Sequence, residues 1–174
     1  MLLSLLYVAL AVAALLLLLS SLLLPVGFIY GAPFVPTSRA RVGAMLALAK
    51  PKPGELWVDL GSGDGRILVA ASLAGARAVG YEFHPLLVLL SRLAIARHGL
   101  RGLASVLRAN LWKADLSKAD IVSLYLMPYR MERMQAKLRA ELKPGCRIVS
   151  NAFPIADWPP AGFDNQVFLY NQPR

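Results

Sequence analysis

The sequence predicts an α/β fold, a doubly wound and mostly parallel sheet preceded by an N-terminal transmembrane helix. Three observations predict it. Trp57 to Arg66 reads W-V-D-L-G-S-G-D-G-R, a short apolar run that breaks into alternate glycines and then a helix-permitting stretch, Ile67 to Leu73. That is a strand, a tight turn and a helix, the unit from which parallel sheets are wound. A second strand-like run, Ala78 to Tyr81, closes on Glu82, 21 residues after Gly61. Finally, Leu2 to Leu24 holds 23 consecutive uncharged positions.

The glycine turn selects its ligand. Residues without side chains let a ligand lie against bare backbone at the C-terminal edge of a parallel sheet. A dinucleotide turn would read G-x-G-x-x-G, with amides facing a pyrophosphate. Here the pattern is D-x-G-x-G-x-G: Asp59, then Gly61, Ser62, Gly63, Asp64 and Gly65. Two carboxylates would repel a pyrophosphate. They suit a zwitterionic head carrying an ammonium, as in the methionine part of S-adenosylmethionine, and Glu82 is spaced to accept from both hydroxyls of a ribose.

Composition narrows the rest. Of 174 residues, 57% are hydrophobic, enough to bury a core, and the length beyond the leader fits one domain. The single Cys146 excludes a disulfide framework and a cysteine-ligated zinc site, and its apolar strand setting reads as a buried, inert thiol. With only His84 and His98 beside it, no metal site is expected. Every charged residue lies at or after Arg39, so the +9 net charge belongs wholly to the folded domain and favours an anionic partner, nucleic acid or a phospholipid surface.

As a helix, residues 2–24 would reach about 35 Å, enough for the hydrocarbon layer. They lack the basic start of a signal peptide and exceed its usual apolar length. Because the first cations downstream are Arg39, Arg41, Lys50 and Lys52, the expected topology is single-pass with the catalytic domain cytoplasmic. The domains expected are 1–30, the anchor; 31–38, a linker; and 39–174, the catalytic domain. The prolines of the linker Y-G-A-P-F-V-P-T stiffen it. It is either a spacer or a segment closing over the cofactor, with Phe34 and Thr37 near the transferring methyl.

Further elements follow in order. Thr37 or Ser38 caps a helix from Arg39 to Lys50, and Pro51, Pro53 and Gly54 end it. Pro85 to His98 is a mostly apolar helix with Arg92 and Arg97 toward solvent. Leu103 to Leu107 is a third strand, after which Asn110 and Leu111 stand where adenine would rest, the amide on its edge and Leu111 or Trp112 on its face. Asp120 to Leu126 is the fourth strand, followed by Met127, Pro128 and Tyr129 at the ligand edge, where Tyr125 and Pro128 are candidates for shaping an acceptor slot. Met131 to Leu142 is a helix whose cations read as a solvated face. Arg147 to Ser150 is the fifth strand, and Gln166 to Tyr170 an antiparallel edge strand.

Five stretches then carry a family resemblance: P-F-V-P-T (Pro33 to Thr37), D-L-G-S-G-D-G-R (Asp59 to Arg66), G-Y-E with Pro85 (Gly80 to Glu82), L-W-K (Leu111 to Lys113), and R-I-V-S followed by Phe153, Pro154 and Trp158. The chain resembles the seven-β-strand, Rossmann-like class I methyltransferases that use S-adenosylmethionine. Within that class it is similar to the membrane-anchored protein-lysine methyltransferases whose eukaryotic members modify the ATP synthase c-subunit and the adenine nucleotide translocase in mitochondria. Asn110 stands where such relatives often carry aspartate.

The resemblance implies a lysine of a membrane-associated protein as acceptor and no nucleic acid partner. Transfer from a sulfonium to an amine is an in-line displacement that needs the amine uncharged, and a lysine desolvated among Phe34, Tyr125, Phe153 and Trp158 loses its proton more readily. No strong general base is expected. Three alternatives stay open: methylation of a lipid or other small amphiphile, methylation of RNA, and a non-catalytic cofactor-binding module. Met127-Pro128-Tyr129 lacks the Asn-Pro-Pro-Tyr type motif of enzymes that methylate base amines.

Overall fold

A computed structural model describes residues 4, 6–8, 10–15 and 34–173. The chain forms two units, Met1–Phe34 and Val35–Arg174. In the first, the described residues 4, 6–8 and 10–15 are helical and exposed. Among the described residues no helix is long and apolar enough to cross a membrane. Most of the predicted 2–24 span, and the linker up to Pro33, lie outside the described residues.

The second unit is built on one seven-stranded sheet. In chain order its elements are α1 (Arg39–Ala49), β1 (Leu56–Leu60), α2 (Arg66–Leu73), β2 (Arg77–Glu82), α3 (Pro85–Arg97), β3 (Ala104–Arg108), a 3₁₀ turn (Leu111–Lys113), β4 (Ile121–Leu124), α4 (Pro128–Glu141), β5 (Arg147–Asn151), β6 (Gly162–Asp164) and β7 (Val167–Asn171). The strand order is β3-β2-β1-β4-β5-β7-β6, with β1 to β5 parallel and β7 antiparallel to both β5 and β6. The winding reverses between β1 and β4. At such a switch point a crevice opens beyond the strands' carboxyl ends, and ligands bind there.

Alternation along the strands sorts the core into two layers. Trp57 of β1 and Ile121 of β4 face the side covered by α1, α2 and α3, with Met45, Leu68 and Ile95. Val58 and Leu60, with Val122 and Leu124, face the side covered by α4, with Met134, Leu138 and Tyr170. Both faces being covered, the central strands read as near-continuous apolar runs. Ser38 caps α1, its side chain accepting from the Arg41 amide.

Two predicted boundaries are corrected. The helix after β4 begins at Pro128 rather than Met131, since proline fits the first helical turn, where no amide partner is needed. Val167–Asn171 is antiparallel as predicted but is not the edge, because β6 pairs outside it. At three residues, with only Phe163 large and apolar, β6 is too short to show alternation.

Candidate cofactor and acceptor site

The site begins with the turn after β1. Gly61 and Ser62 amides both donate to the Tyr81 carbonyl of β2, at 2.9 and 3.2 Å, which ties the turn to the neighbouring strand. The Gly63 amide donates to Glu82 Oε2 at 3.0 Å, while Glu82 Oε1 accepts from the His84 amide at 2.7 Å. One buried carboxylate therefore braces both the glycine turn and the turn leading into α3.

Two glycines are needed here for close approach. A Cβ on Gly65, which sits at φ 82°, would lie 2.3 Å from Ser91 Oγ of α3. A Cβ on Gly80 of β2 would lie 2.5 Å from Ser62 Oγ and 2.7 Å from Leu68 Cδ1. In the sequence Gly80 is only part of a motif; its role comes from packing beneath the turn.

Asp59 lies on the same face of β1 as Trp57, opposite Ser123 of β4. Trp57 Nε1 donates to Ser123 Oγ at 2.7 Å, and Ser123 Oγ donates to Asp59 Oδ1 at 2.6 Å. The other carboxylate oxygen, Oδ2, is buried and has no partner among the described residues. Burial pushes the Asp59 carboxyl up to about 7; the Ser123 hydrogen bond opposes this, and the charges of Glu82 and Asp64 reinforce it.

Asp64 departs from its predicted role beside an ammonium. Arg66 Nε donates to its two oxygens at 2.9 and 3.1 Å, and Arg66 Nη2 to Oδ2 at 2.6 Å. Burial disfavours its charge, but the Arg66 bonds and charge outweigh that and hold the carboxyl below its ordinary value. Arg66 also donates through Nη1 to the Thr37 carbonyl at 2.6 Å, and Asn151 Nδ2 at the end of β5 donates to Thr37 Oγ1 at 3.1 Å. Asp64 thus fastens the segment before α1 to the sheet edge, leaving Asp59 as the acid with an unpartnered oxygen. That Arg66 strap had no sequence signal beyond the family motif.

The remaining predicted residues divide. Leu111 lies beside the turn, its Cδ2 4.0 Å from where a Gly61 Cβ would stand. Asn110 accepts from the Trp112 amide at 3.0 Å through Oδ1. Tyr125 and Phe153, following β4 and β5, stack with centroids 6.2 Å apart, and exposed Pro128 opens α4. Trp158 is placed in packing instead: it is 6% exposed, its Nε1 donates to the Asn171 carbonyl at 3.2 Å, its ring lies 6.1 Å from Tyr170, and Arg139 covers it at 4.6 Å. Phe34, the last residue of the first unit, is 46% exposed.

Whether these residues fit S-adenosylmethionine can be tested on the orphaned groups. Among the described residues, Asp59 Oδ2 near the end of β1, and Ser62 Oγ and His84 Nδ1 in the turns after β1 and β2, are buried without partners. Buried polar groups are rarely left unpaired unless a ligand or water completes them. An acid for an ammonium, an acid beside the turn for ribose hydroxyls, and Leu111 with Asn110 for adenine make a set that fits the cofactor. Held there, it would offer a methyl group made electrophilic by its sulfonium.

The winding and the polar groups gathered at its edge define a class I methyltransferase fold. The family profile of the ANTKMT methyltransferase domain matches residues 59–162, and the chain belongs to that family. It is 43% identical over 129 residues to the mouse adenine nucleotide translocase lysine N-methyltransferase, covering 74% of this chain and 56% of that one. Identity to the rat lysine N-methyltransferase of the ATP synthase c-subunit is 39%, covering 74% and 59%. This chain therefore spans little more than half the length of those two relatives. A protein-lysine N-methyltransferase of Saccharolobus islandicus is 35% identical, covering 79% and 92%. Among solved structures, one described as an RNA methyltransferase from Salinibacter ruber with S-adenosyl-L-homocysteine superimposes with a TM-score of 0.77 at 36% identity, covering 80% and 95%. The C-terminal domain of the Rhodobacter capsulatus precorrin-6Y C5,15-methyltransferase, 22% identical with a TM-score of 0.63, shares the fold.

Proposed function

We propose that the chain is an S-adenosylmethionine-dependent protein-lysine N-methyltransferase acting on proteins at or in a membrane. The observation that carries the reading is the family membership, together with relatives named for lysine methylation at two very different lengths. In this reading Asp59 and Glu82 hold the cofactor's two polar ends, and Leu111 and Asn110 its base. Tyr125 and Phe153 form an aromatic wall for the acceptor. The wall strips water from the lysine and favours its neutral form. Positioning and desolvation then supply the rate, and the proton leaves to solvent without a dedicated base.

The anchor belongs to the same proposal. Residues 2–24 hold the chain in the bilayer, residues 31–38 lead to a domain at 39–174, and that domain works on the cytoplasmic side. Support comes from the uncharged run and the cations that follow it. A second reading, RNA methylation, is favoured by the activity for which the Salinibacter neighbour is named and by the +9 charge.

One experiment separates them. The full chain in mild detergent is incubated with labelled S-adenosylmethionine and membranes from cells lacking it, followed by nuclease, protease and lipid extraction. Label that survives nuclease and runs with protein, and that a Gly63→Arg variant abolishes, supports the proposal. Nuclease-sensitive or lipid-extracted label contradicts it. Mass spectrometry of the labelled protein then names the lysine.

A further inference from the structure

Helix α3 carries more apolar surface than its packing uses. Its inward face is Val88, Ser91 and Ile95, all buried, with Ser91 against Gly65. At 3.6 residues per turn the opposite side, about 180° around, is Leu86, Leu89, Leu90 and Leu93. These four leucines are 47%, 53%, 42% and 47% exposed. Scattered exposed leucines are ordinary, whereas a continuous stripe of them marks a docking surface.

Charge decides the occupant. Arg92 and Arg97 are exposed on the same helix, and no Asp or Glu occurs anywhere between Glu82 and Asp115. A second copy seated on this stripe would set arginines against arginines with no acid to pair them. A surface of anionic headgroups over acyl chains satisfies both features at once: leucines enter the apolar boundary while arginines reach back to phosphates. From this stripe and its rim we propose that the outward face of α3 docks on the surface of an anionic phospholipid bilayer. The helix begins three residues after Glu82, which its His84 amide also contacts. Docking would therefore hold the cofactor edge of the domain close to the membrane plane. The inference stands on this face alone and does not require methyl transfer.

The test uses the full chain. Cys146 is buried and the chain has no other cysteine, so a Cys146→Ala background accepts single probes. A nitrobenzoxadiazole label is placed by Leu89→Cys, by Leu93→Cys, or by Ala136→Cys on the exposed face of α4 across the sheet. The proteins are reconstituted in phosphatidylcholine vesicles with or without phosphatidylglycerol, and quenching by nitroxide-bearing lipids is measured. The proposal expects blue-shifted emission at 89 and 93 and quenching about threefold or more above that at 136, as an interfacial helix face would give, weakening without phosphatidylglycerol. Water-like emission at 89 and 93 would overturn it. So would a blue shift without lipid quenching, which would mean that protein covers the stripe, or quenching indifferent to the anionic lipid.

Discussion

Replacing Asp59 with asparagine should stabilise the cofactor-free protein above neutral pH while weakening cofactor binding. The folded carboxyl titrates near 7, against an ordinary value of 3.8. A folded-state pKa above the unfolded one means that the native protein keeps its proton longer, so stability is full below about pH 4 and falls as pH rises to about 7. At about 1.36 kcal/mol per pH unit, the whole gap is worth about 4 kcal/mol, of which about 3 kcal/mol falls between pH 5 and pH 8. Asparagine cannot titrate, yet its oxygen can still accept from Ser123. The stability of Asp59→Asn relative to wild type should therefore improve by about 3 kcal/mol from pH 5 to pH 8, less any change in the partnerless amide. Denaturant melts of both proteins at the two pH values measure that double difference. A gap that stays constant or shrinks would refute the buried, partnerless carboxylate.

Gly80→Ala should cost about 2 to 3 kcal/mol and loosen the glycine turn, because its Cβ meets Ser62 and Leu68 below 3 Å; thermal melts and cofactor titration check both effects. Glu82→Gln should weaken cofactor binding about tenfold to a hundredfold, since the Gly63 and His84 amides both lose a charged acceptor and one of them faces an NH2 donor instead; unchanged affinity in a titration would remove Glu82 from the site. Burial pushes the Cys146 thiol up to about 12, so the native protein should resist thiol reagents at pH 8 and react only once unfolded.

The local frame of the candidate site, a glycine turn and two strand ends, was legible in the sequence. Gly61 to Gly65 required a bare turn after a strand, and Glu82 stood at the spacing of a second strand's end, where its carboxylate meets the Gly63 amide. The central parallel strands β1, β4 and β5 were readable because both covered faces leave apolar runs. What escaped depends on distant partners. Arg66, which pairs with Asp64, stands only two residues on; what no spacing shows is that the pair reaches back to the Thr37 carbonyl, 29 residues earlier. Trp158 looked available to an acceptor, yet Tyr170 and Arg139 enclose it from elements that no spacing rule connects. The Trp57–Ser123–Asp59 chain appears only once β1 and β4 are in register.

Isothermal titration calorimetry of the full chain in detergent tests the central claim most directly. The orphaned acid of Asp59 and the Glu82 brace predict saturable binding of S-adenosylmethionine and S-adenosylhomocysteine, with NAD and ATP silent. Heat from NAD or ATP, with none from the methyl donor or its demethylated product, would contradict it.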